Sequence, residues 1–73
     1  MGTQEEMVAV IQETIVHLDE QMRAIQKAWR SGQYPAEVVR ADVERKQTLV
    51  NKLRETVGEP PIYMAFPGLW ETA

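Results

Sequence analysis

The sequence predicts an all-α protein. It reads as an antiparallel two-helix hairpin, about residues 4–31 and 35–57, followed by an irregular aromatic C-terminal tail, with two such hairpins assembling into a homodimeric four-helix bundle. Three observations predict this. Apolar residues recur at alternating steps of three and four through Val8, Ile11, Ile15, Leu18, Met22, Ile25 and Trp29. A second stripe of the same period runs Ala36, Val39, Val43, Lys46, Val50, Leu53 and Val57. That period is helical, and it marks a seam of the coiled-coil kind. Folded about Gln33-Tyr34-Pro35, the two stripes match layer for layer, from Trp29 with Ala36 to Val8 with Val57, and the paired residue numbers sum to 64 or 65 throughout.

Each element has its own local grounds. Thr3-Gln4-Glu5-Glu6 fits a capping box, in which the Thr3 hydroxyl and the Glu6 carboxylate satisfy each other's backbone amides. Glu5 and Glu6 suit the positive end of the helix dipole, and Lys27 and Arg30 suit the negative end. Ser31-Gly32 stops the first helix, with Gly32 as a left-handed cap. At 1.5 Å per residue this helix is roughly 40 Å long. Pro35 fits the first position of the second helix, where its missing N–H costs nothing. Gly58 caps that helix at Val57, and Pro60 and Pro61 forbid its continuation. The tail, 59–73, concentrates Ile62, Tyr63, Met64, Phe66, Leu69 and Trp70 around Pro67-Gly68.

Length and charge bound the function. Seventy-three residues make one small domain, residues 1–73. A bare hairpin of this size buries too little apolar surface to offset the entropy of ordering it. The shortfall points to the tail folding back over the hairpin, and to a second copy. Beside the main seam of the first helix lie Met7, Val10, Thr14, His17, Ala24 and Ala28; the second helix adds Val38 and Leu49. The tail carries aromatic anchors of the kind that dominate interface energetics, so it is also a candidate partner-binding segment.

Several classes are disfavoured. There are no cysteines, hence no disulfides and no thiolate metal site. No apolar run approaches the roughly 20 residues that span a bilayer, so no membrane role is expected. The acidic start, Met1 to Glu6, lacks the features of a signal peptide, so a cytoplasmic location is expected. With 8 basic and 11 acidic residues the net charge is −3, which makes nucleic acid an unfavoured partner.

Few residues invite chemistry. His17 lies one turn from Glu13 and from Glu20, but the Glu-x-x-His pair of di-metal bundles is missing. Lys46 is the polar member of its seam, expected to snorkel to water or to pair with Asp19 across the register. With no phosphate loop, nucleophile–base pair or zinc-ligand spacing, we expect neither an enzyme nor a cofactor.

Three segments together, His17 to Gln21, Val39 to Lys46 and Ala65 to Glu71, resemble an uncharacterised family of short helical proteins from actinobacteria and their phages. The resemblance implies a phage or prophage source. It implies no activity and no site residues.

The expected function is protein interaction or self-assembly, through the seam residues, the helical faces or the aromatic tail. The alternative is an oligomeric module that binds a small anion such as a nucleotide, using Arg40, Arg45, Lys52 or Arg54 with Tyr34 or Tyr63. An RNA-binding hairpin is a weaker third reading.

Overall fold

A computed structural model describes residues 3–71. Two helices, α1 (Thr3–Arg30) and α2 (Ala36–Thr56), lie antiparallel and give a rod of 51 × 17 × 15 Å. Among the described residues all regular secondary structure is helical.

The expected boundaries shift by a residue or so. Thr3 is the first helical residue of α1 rather than its cap, and the position before it lies outside the described residues. Pro35 is the cap of α2 rather than its first helical residue. Its φ of −63° suits a helix, but its ψ of 147° is extended. Its carbonyl accepts the amides of Val38 and Val39, both at 3.2 Å, so the proline still opens the hydrogen-bond ladder. α2 ends at Thr56, with Val57 as its C-cap.

Gly32 terminates α1 for a specific reason. Its φ is +70°. In that conformation its N–H donates to Trp29 O at 3.0 Å and the Gln33 N–H to Ala28 O at 3.1 Å, the two bonds of a Schellman motif. The same pair of bonds closes α2, from Gly58 to Glu55 and from Glu59 to Arg54.

The seam forms in the expected register and divides into two clusters. Ile15, Leu18 and Val50 are buried together, with Ile11, Leu53 and Val57 packed against them. Met22, Val39 and Val43 form the second cluster, with Ile25, Trp29 and Ala36 around it. Val8 departs from expectation: it is 38% exposed, because α2 ends beside it and leaves that outermost layer open.

The second cluster differs from the first in taking two residues from the tail. Phe66 and Leu69 are buried in it, and Met64 packs at its edge. They reach it through a turn in which the Leu69 N–H donates to Phe66 O at 3.1 Å and Gly68 has φ +80°. Proline then glycine in the centre is the signature of a type II turn, whose third position requires positive φ. The turn sets Phe66 and Leu69 three residues apart on one side of the chain. The tail therefore completes the core of the half of the hairpin nearest the connecting loop.

Candidate functional site

The tail lies along one broad face of the hairpin, held by its backbone. Five of its carbonyls accept hydrogen bonds from helix side chains. Arg54 Nε donates to Pro60 O (2.9 Å), Gln47 Nε2 to Ile62 O (2.5 Å), Gln26 Nε2 to Ala65 O (2.5 Å), Trp29 Nε1 to Pro67 O (3.1 Å) and Arg40 Nη1 to Leu69 O (3.0 Å). Two tail amides are held as well: Ile62 N–H donates to Asn51 Oδ1 at 2.9 Å and Met64 N–H to Gln47 Oε1 at 3.1 Å. The Gln47 amide thus serves Ile62 and Met64 together, as a neighbouring strand would. An extended, proline-bearing segment cannot bond to itself, so its polar groups need these partners.

This clamp divides the tail residues singled out by their apolar character. Phe66 and Leu69 are buried and Met64 is half-buried. Ile62, Tyr63 and Trp70 remain exposed, Tyr63 by 75% and Trp70 by 52%. Tyr63 and Trp70 line one cleft of about 230 Å³, together with Val43, Glu44 and Met64 among others. On the other side of Tyr63 lies a larger depression of about 450 Å³, lined by Asn51, Lys52, Glu55, Glu59 and Pro61 among others.

The four cations considered for anion binding are not assembled. Arg40 and Arg54 hold tail carbonyls, and Arg54 also lies 4.0 Å from Glu59. Arg45 pairs with Asp42 at 2.9 Å. Lys52 lines a depression that also contains two carboxylates. Lys46 pairs with Asp42 on its own helix, at 3.0 Å, rather than with Asp19. One helical turn brings the Asp42 carboxylate to the same side of α2, which is closer than any reach across the seam.

The opposite face of the hairpin is bare. Helical spacing puts Met7, Val10, Thr14, His17, Ala24 and Ala28 on the flank of α1 away from Gln26, and Val38 and Leu49 on the flank of α2 away from Gln47, with Lys52 further round on the outer side of α2. Met7, Val10, Val38 and Leu49 are between 45% and 63% exposed. The Thr14 hydroxyl donates to Val10 O at 2.9 Å, so its polar group is satisfied within α1.

Among the described residues no group of three or more His, Cys, Asp or Glu is placed to hold a metal ion. No helix there is long and apolar enough to cross a membrane. No family model, curated protein or solved structure matches the chain.

Proposed function

We propose that this protein is a self-associating interaction module, in which two hairpins pair through their tail-free faces into a four-helix bundle. The observation that carries this reading is the bare face itself: four large apolar side chains and a run of small ones, on the side that the tail leaves open. Isolated exposed apolar residues are ordinary, but apolar and small residues that recur at helical spacing along two helices suit an interface.

The sequence register supports a second copy as the occupant. A two-fold axis parallel to the helices sets α1 of one copy antiparallel to α2 of the other and preserves axial level. Val38 then meets the gap between Ala24 and Ala28 of the partner subunit, large against small. Leu49 meets Thr14 and His17 of the partner subunit. At the rim, Glu13 comes level with Lys52 of the partner subunit, giving opposite charges across each edge. The first twenty residues hold five carboxylates and no lysine or arginine, whereas Lys52 belongs to α2.

Sedimentation equilibrium tests the proposal. The protein is expected to sediment as a dimer at micromolar concentration. Leu49→Glu, which places a charge at the centre of the face, is expected to give monomers. Glu13→Lys is expected to weaken the dimer, and adding Lys52→Glu to restore it. A folded, dilute monomer of the unaltered chain would refute the reading.

A further inference from the structure

Tyr63 is the most exposed of the large apolar residues, yet its backbone sits between two of the most firmly held positions in the tail. Ile62 is bonded through both its N–H and its carbonyl, and Met64 through its N–H. Trp70 is placed similarly: it follows Leu69, which is fully buried and whose carbonyl is held by Arg40. Both rings are therefore displayed from pinned backbone. Both line the same cleft, and so does Glu44, whose carboxylate has no hydrogen-bond or ion-pair partner among the described residues.

Two aromatic side chains and a carboxylate around one small cleft are the groups that suit a single positive charge. The rings attract a cation through their quadrupoles, and the carboxylate adds direct attraction. Holding the backbone that carries the rings in advance reduces the entropy lost when a ligand enters. We infer that the Tyr63–Trp70–Glu44 cleft binds an arginine or lysine side chain presented by an extended segment of a partner protein. The depression beyond Tyr63 receives the residues flanking that cation. Its Glu55 and Glu59 outnumber Lys52, and the chain as a whole carries a net charge of −3, so both favour a basic segment. This site is on the tail face and does not depend on pairing through the bare face.

Heteronuclear NMR on the full chain tests it at constant ionic strength. N-acetyl-arginine N-methylamide is expected to shift the amides of Glu44, Tyr63 and Trp70 saturably. The uncharged citrulline analogue is expected to bind at least about fivefold more weakly. Glu44→Gln should weaken the arginine probe by about threefold. Tyr63→Leu should abolish the shifts without lowering the melting temperature, since that side chain holds no other element. A five-residue peptide with a central arginine should bind about tenfold tighter than the single residue and also shift Asn51 and Glu55. The inference fails if no saturable shift occurs by about 50 mM, if citrulline binds equally, or if neither substitution matters. A peptide that gains nothing over the single residue would overturn the extended partner segment.

Discussion

Arg40 donates from its guanidinium to the backbone carbonyl of Leu69, at 3.0 Å and across 29 positions of sequence. The side chain of the same leucine is the most completely buried in the protein. One residue thus anchors the tail twice, by its carbonyl at the edge of the groove and by its isobutyl group in the core between α1 and α2.

Leu69→Ala should therefore be strongly destabilising. Leucine-to-alanine changes at fully buried sites cost about 2–5 kcal/mol. In a domain of this size each kcal/mol lowers the melting temperature by about 4–8 °C. Thermal unfolding followed by circular dichroism measures it, with Trp70→Ala as the contrast. A loss for Leu69→Ala no larger than that for Trp70→Ala would contradict the packing described.

Gln47→Ala should loosen the tail without unfolding the hairpin. It removes the bonds to Ile62 and Met64, each worth about 0.5–1.5 kcal/mol where water competes. Hydrogen exchange is the discriminating measurement. The Met64 amide should lose its protection, while the amides of Met22 and Val43, inside helices, should keep theirs. Equal acceleration everywhere would mean that the tail and the hairpin unfold as one unit.

Lys46→Met should be neutral or stabilising, by up to about 1 kcal/mol. The Lys46–Asp42 pair is one turn apart on a helix surface, a type worth about 0.3–0.5 kcal/mol. Methionine would extend the apolar seam at a half-buried position, and Asp42 would keep Arg45 at 2.9 Å. Urea denaturation tests this, and a loss above about 1 kcal/mol would show that the pair does more than cover the seam.

Much of the hairpin was legible because its determinants are periodic and local. The steps of three and four in Ile11, Ile15, Leu18, Met22 and Ile25 define a face, whatever that face later meets. Gly32 and Gly58 stop helices through backbone conformation alone. Val8 shows the limit of the pattern: it continues the stripe, but α2 ends before covering it.

The groove that holds the tail was not legible in the same way. Gln26, Gln47 and Asn51 lie outside both seams, and amides in such positions ordinarily face water. Their role exists because an extended segment comes to lie over them. Likewise Leu69 and Trp70 are adjacent and comparably apolar, and no local rule says which one enters the core.

By itself, then, the sequence determined two helices, their stops, their shared register and a tail that could not be helical, since these follow from side-chain period, glycine and proline. The tertiary structure alone decided which face the tail covers and which of its residues are buried. Those outcomes depend on distances between residues far apart in the chain, and such distances are set by how the helices pack.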